Sequence, residues 1–184
     1  MTFRLAVKND LPAIAALHAQ SWQSAYANVL SAEFLREEVN VERLNYWRKK
    51  FAVEQTEEKR CLLLAEEAGE LAGFICVIGE ADAAYGSLID NLHVRPDRKG
   101  RGLGKQLLER GLAWAREHFP DCGQYLWVYK ANVAAVGFYE KTGGHCTESV
   151  LTENPDGGRA EVWRMVWPKT ATAIERRKNK VIKR

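Results

Sequence analysis

The sequence predicts an α/β (α+β) fold: a central mixed, mostly antiparallel seven-stranded sheet with helices on both faces. Three observations carry this. Strand-like runs and stretches of three- and four-residue apolar spacing follow one another in the order β-ααα-β-β-β-α-β-α-β-β. A hairpin meander comes first and a β-α-β-α-β stretch second, which joins antiparallel to parallel pairing. A chain of 184 residues with 46% apolar content suits one domain, here 1–167, followed by a tail, 168–184.

Phe3–Val7 alternates and reads as the first strand. Asn9 or Asp10 caps a helix with Pro12 in its first turn. Leu11, Ile14, Ala15, Leu17, His18, Trp22 and Ala25 recur on one face of it. A second helix follows from Ser31 through Glu38, and a third from about Val41 to Val53 with Leu44, Trp47 and Phe51 on one side. Strands Cys61–Glu66 and Leu71–Ile78 flank a turn at Glu67-Ala68-Gly69-Glu70. Residues 81–86 read as a loop before the apolar run Leu88–Val94. A long helix then ends near His118, before Pro120. Gln124–Tyr129 is the fifth strand, and Asn132 opens a short helix that Gly143-Gly144 stops. His145–Leu151 and Ala160–Trp167 close the sheet around an Asn154-Pro155-Asp156-Gly157-Gly158 turn.

The stretch with most chemistry joins the fourth strand to the long helix: Pro96-Asp97-Arg98-Lys99-Gly100-Arg101-Gly102-Leu103-Gly104-Lys105. Its glycines let backbone approach a ligand closely and reach positive φ. A helix starting here points unpaired N–H groups and its positive dipole end into the turn, and the Lys and Arg side chains add charge. That combination suits a phosphate or pyrophosphate; a tight turn beside a solvated basic face is the plainer alternative. No Gly-x-x-x-x-Gly-Lys-Ser/Thr is present, and glycines at every second position after the fourth strand make a poor dinucleotide fingerprint.

Charge and cysteine content exclude several classes. The net charge is +3, but residues 168–184 hold seven Lys/Arg against one Glu, so the body is mildly acidic and the basicity lies in the tail. Nucleic-acid binding is therefore not expected of the core, though the tail suits it. No apolar run reaches the roughly 18 residues of a membrane span, and the N-terminus lacks a signal-peptide core. Cys61, Cys76, Cys122 and Cys146 are far apart, as are the four histidines, which fits reduced thiols, a cytoplasmic protein and no metal site.

Two blocks, in this order and spacing, resemble the Gcn5-related N-acetyltransferase (GNAT) superfamily. One is Val94-x-Pro96-Asp97-x-Lys99-Gly100-Arg101-Gly102-Leu103-Gly104-x-x-Leu107-Leu108; the other is Leu126-Trp127-Val128-x-x-x-Asn132-x-x-Ala135-x-x-Phe138-Tyr139-Glu140-Lys141-x-Gly143. Trp22 and Tyr26 in the first helix are typical of one bacterial subgroup, and the resemblance covers about residues 3–167. The chain departs from the family's usual pattern at Lys99, commonly Arg or Gln, and at Gly144, commonly Phe.

The resemblance implies transfer of an acetyl group from acetyl-CoA, as cosubstrate, to a primary amine. Lys99 to Lys105, with Arg101, Leu103 and the glycines between, would hold the pyrophosphate. The main chain of Leu92, His93 and Val94 would pair with the pantetheine arm where the fourth and fifth strands splay apart, and an N–H there would stabilise the oxyanion. Asn132 and Ala135 belong to the second cofactor block, and Tyr139 would donate to the departing thiolate. An alkyl amine has a pKa of about 10, so something must take its proton. Asp90, placed by alternation on the face of Leu92 and Val94, matches where the family often has its base; a structural carboxylate or a substrate anchor is the alternative. Trp22, Tyr26 and Glu33 would wall the acceptor, a small polar amine or a peptide N-terminus. The competing readings are a non-catalytic CoA-binding or sensing module and a ribosome- or RNA-associated protein acting through the tail. The exposed late strands suit a homodimer.

Overall fold

The computed structural model describes residues 1–53 and 59–167; the basic tail and its suggested nucleic-acid role lie outside them. The central strands are the most apolar. β2 (Arg60–Glu67) and β3 (Glu70–Asp82) read as nearly continuous buried runs because helices cover both of their faces. β1 (Thr2–Leu5), β4 (Gly86–Val94), β5 (Gln124–Tyr129), β6 (His145–Glu153) and β7 (Arg159–Trp167) complete a seven-stranded sheet in the order β1-β2-β3-β4-β5-β7-β6. Every neighbouring pair is antiparallel except β4 with β5. Residues 81–86 are a hairpin rather than a loop, since β3 continues to Asp82 and pairs it with Gly86.

The two faces carry different helices. Helix α1 (Leu11–Ala25) and helix α2 (Val39–Ala52) pack Ile14, Leu17 and Trp47 on Leu62, Leu64, Phe74 and Cys76. Helix α3 (Leu103–His118) buries Leu103, Leu107, Leu108, Leu112 and Ala115 along one stripe. With Val136 of helix α4 (Val133–Lys141), that stripe covers Ala65, Ile75, Val77 and Ile89 on the opposite face. The two helices expected over 31–53 are one helical run: a π turn at Phe34–Glu38 continues directly into α2. Phe34 and Leu35 on that turn and Val39 beyond it are all buried, so the run adjusts its winding to keep three apolar residues inward without breaking.

Gly144, the departure from the family pattern, has a steric reason. A Cβ there would lie 2.8 Å from the Trp167 ring, whose Nε1 donates to the Thr142 carbonyl at 3.0 Å. Trp167 fills the space that a side chain at 144 would take. Of the cysteines, Cys61 and Cys76 are buried, Cys122 is half-buried and Cys146 is exposed on β6. No helix among the described residues is long and apolar enough to cross a membrane.

Candidate active site

The site exists because β4 and β5 pair only briefly. Ser87 faces Gln124 and Leu88 faces Tyr125; beyond these the two parallel strands separate. The opening becomes a groove of about 660 Å³. Asp90 to Val94 form one wall, Leu126 to Val128 and α4 the other, and the mouth of α3 one end. Ser21 and Ala25 of α1, with Tyr26 just beyond its end, close it on the other face of the sheet.

At the α3 end, Gly102 caps the helix in the left-handed region at φ +79°, and no side chain caps the opening amides. Gly100 has φ +76°, and at both glycines a Cβ would meet no heavy atom within 4 Å. The loop backbone is thus bare toward the groove, which fits a diphosphate. Lys99, Gly100, Gly102, Gly104 and Lys105 line it. Arg101 is exposed and does not line it, and the Leu103 side chain is core at 3% exposure. The loop's other cations are partly spent: Arg95 pairs with Glu70 and Asp97, and Arg98 with Glu67 and Asp97. Burial lowers the Lys99 ammonium from its ordinary pKa, and its Nζ lies 3.5 Å from Ser24 Oγ on α1.

On the far wall, Asn132 accepts from the Ala135 amide at 3.3 Å and caps α4. That cap aims Ala135, Phe138 and Tyr139 at the groove. The Tyr139 ring is held edge-on to Trp167 with centroids 5.9 Å apart. Its hydroxyl makes no hydrogen bond with a described residue, and burial pushes its pKa above the ordinary value, so it stays a donor. Tyr26 sits opposite, wedged between Trp22 and Tyr129 at 5.4 and 5.0 Å, with its pKa raised by burial to about 12.

Asp90 is where expectation and structure part. Cys76 pairs with Asn91 and Val77 with Ile89, so Asp90 is the extra residue of a β-bulge. Ile89, Leu92 and Val94 pack on the α3 side. Asp90 instead turns to α2, where the Tyr46 hydroxyl donates to Oδ2 at 2.6 Å and Lys50 Nζ lies 3.3 Å from it. It does not share the face of Leu92 and Val94, because the bulge breaks the alternation behind that assignment. Asp90 still lines the groove.

His93 lines the groove with Nδ1 3.0 Å from Ser21 Oγ, and its ring lies 4.1 Å from that of His18. Burial, then Arg43 and Lys99, depress His93 to about 3. Burial, then His93 and Arg43, hold His18 well below its ordinary value, and Trp47 Nε1 donates to His18 Nδ1 at 3.1 Å. Both imidazoles are therefore neutral.

Two expected wall residues are not brought to the groove. The Arg43 guanidinium covers the Trp22 ring 3.9 Å from its centroid, and Glu33 is exposed at the start of the π turn. Sequence reasoning passed over Ser21, Trp127, Tyr46 and Lys50. Trp127, 37% exposed within the second cofactor block, carried a signal as a wall residue; Tyr46 meets Asp90 across 44 positions and carried none. Among the described residues no group of three His, Cys, Asp or Glu side chains could hold a metal ion.

The acetyltransferase (GNAT) family profile matches residues 18–144. The uncharacterised N-acetyltransferase YuaI of Bacillus subtilis is 23% identical over 172 residues, 91% of this chain and 93% of that one. The PaiA N-acetyltransferase of Thermoplasma acidophilum, solved with coenzyme A, superposes with a TM-score of 0.70 at 18% identity and covers 91% of this chain and 98% of that one. The YncA acetyltransferase of Salmonella typhimurium, solved with acetyl-CoA, gives 0.66 at 20% identity, with 94% and 96% covered. With the profile spanning most of its length and both cofactor blocks on one groove, the chain belongs to the acetyltransferase (GNAT) family, enzymes whose acyl donor is acetyl-CoA.

Proposed function

We propose that this enzyme moves acetyl from acetyl-CoA to a primary amine, a small polar amine or a peptide N-terminus, by direct attack with both substrates bound. One observation carries the reading: a bare helix mouth, a strand splay and a phenol with no hydrogen-bond partner among the described residues share one groove. Acetyl-CoA supplies an activated thioester when bound. The amides of Gly102 to Lys105, with Lys99 and Lys105, grip its diphosphate. The Leu92–Val94 backbone, free of β5, pairs with the peptide-like arm, and an N–H at Leu92 or His93 donates to the developing oxyanion. Tyr139 donates to the departing sulfur.

Asp90 takes the amine proton, directly or through one water. The bulge supports this role, since it turns the carboxylate to the face of α1 and α2, across the sheet from α3 and α4. His93 is too weakly basic at about 3 to serve. Tyr26 and Trp127 wall the acceptor. The test is release of CoA thiol from acetyl-CoA with a panel of n-butylamine, 1,4-diaminobutane, a lysine-containing peptide with a blocked N-terminus and an alanyl peptide. Turnover of at least one amine is expected; failure of all four refutes the primary-amine reading.

A further inference from the structure

Two hydrogen-bond donors and one ammonium reach Asp90, and all three meet one oxygen. Tyr46 Oη lies 2.6 Å from Oδ2, Asn91 Nδ2 lies 2.8 Å from it and Lys50 Nζ 3.3 Å. Oδ1 takes no hydrogen bond or ion pair from a described residue, and Asp90 borders the groove. A carboxylate bound this way is fixed about its last torsion, with one oxygen clamped and the other presented.

The clamp is itself built rigidly. Asn91 also donates to Tyr46 Oη, at 3.1 Å, which closes a small ring of hydrogen bonds on the bulge. The Tyr46 ring meets Trp47 and His18 edge-on, with centroids 5.3 and 6.0 Å apart, and the Arg43 guanidinium sits 4.6 Å from its centroid. Burial and the neighbouring Asp90 charge raise the Tyr46 pKa, so its hydroxyl stays a donor at every working pH. Tyr46 and Lys50 lie one helical turn apart on α2, so one face of that helix reaches the bulge twice.

We infer that Tyr46, with Asn91 and Lys50, is a positioning residue for acetyl transfer: it holds Oδ2 of Asp90 so that Oδ1 faces the acceptor amine. The inference rests on the reading of Asp90 as proton acceptor. In the step it serves, the acceptor enters as the neutral amine, its ammonium proton already lost to solvent, and Oδ1 takes one further proton as the N–C bond forms. The C–S bond breaks, its electron pair leaves on sulfur, and Tyr139 gives sulfur a proton; solvent restores both residues.

The experiment is a double-mutant cycle on Tyr46→Phe and Asp90→Asn, using the best amine of the panel above. Tyr46→Phe keeps the ring and its packing and removes only the hydroxyl. It should lower kcat roughly tenfold to a hundredfold, as misplacement of a reacting group does, leave CoA affinity unchanged, and lower the melting temperature by a few degrees because two hydrogen bonds are lost. In the Asp90→Asn background the same change should alter kcat by less than about twofold, because coupled residues are not additive. An unchanged kcat in Tyr46→Phe, or an equal fall in both backgrounds, overturns the positioning role. A wild-type rate in Asp90→Asn alone overturns the reading of Asp90, which is a separate failure.

Discussion

Replacing Tyr139 with Phe isolates one oxygen atom. The ring is packed against Trp167 and lies 5.2 Å from Phe138, contacts that Phe preserves. Its hydroxyl bonds to no described residue, so the substitution breaks no hydrogen bond of the folded chain among them. Stability should therefore stay within about 0.5 kcal/mol of the parent. Catalysis should not be spared. A hydrogen bond to a charged partner contributes about 1.5–3 kcal/mol. At about 1.4 kcal/mol per decade, loss of the bond to the departing sulfur slows kcat by roughly 10- to 150-fold. Initial rates of thiol release at saturating acetyl-CoA and amine measure the effect, and a thermal melt measures stability. A rate within about twofold of the parent, or a melting point several degrees lower with kcat intact, would refute the assignment.

Gly102→Ala forces a Cβ into the left-handed region at φ +79°, a cost of about 1–2 kcal/mol; calorimetric titration should show weaker CoA binding, with the amine KM unmoved. Leu107→Ala, on the fully buried stripe of α3, should destabilise by about 2–5 kcal/mol in urea unfolding. His93 and His18 titrate lower in the folded chain than in the unfolded one, so the unfolded state binds more protons as pH falls below about 6.5. Their stabilisation is complete above that pH and fades on acidification, down to about 3 for His93. Each adds a slope of about 1.4 kcal/mol per pH unit in that window, and His93→Gln should remove one such share from urea midpoints measured between pH 7 and 5. The same depression means that kcat/KM for the amine should show no histidine limb between pH 5 and 8.

What the sequence made legible is local. The strand runs, the glycine turn, the Asn132 cap and the aim of Tyr139 are written within a few residues of where they act. The misread features depend on a partner far along the chain or on a local break in the regular period. The side to which Asp90 turns is set by a bulge against Cys76 and Val77 of β3, and period-two counting inside β4 cannot register an extra residue. The Ser31–Val53 region looks like two helices because the π turn interrupts its 3.6-residue spacing. Trp22 and Glu33 lie near Tyr26 in sequence, but only Tyr26, at the end of α1, points into the groove.

A crystal structure of the enzyme with coenzyme A tests the central claim most directly. The account requires the diphosphate on the amides of Gly102 to Lys105, the arm along Leu92–Val94 and the sulfur within hydrogen-bonding reach of the Tyr139 hydroxyl. Coenzyme A seated outside the β4–β5 splay, or with its sulfur remote from Tyr139, would contradict it.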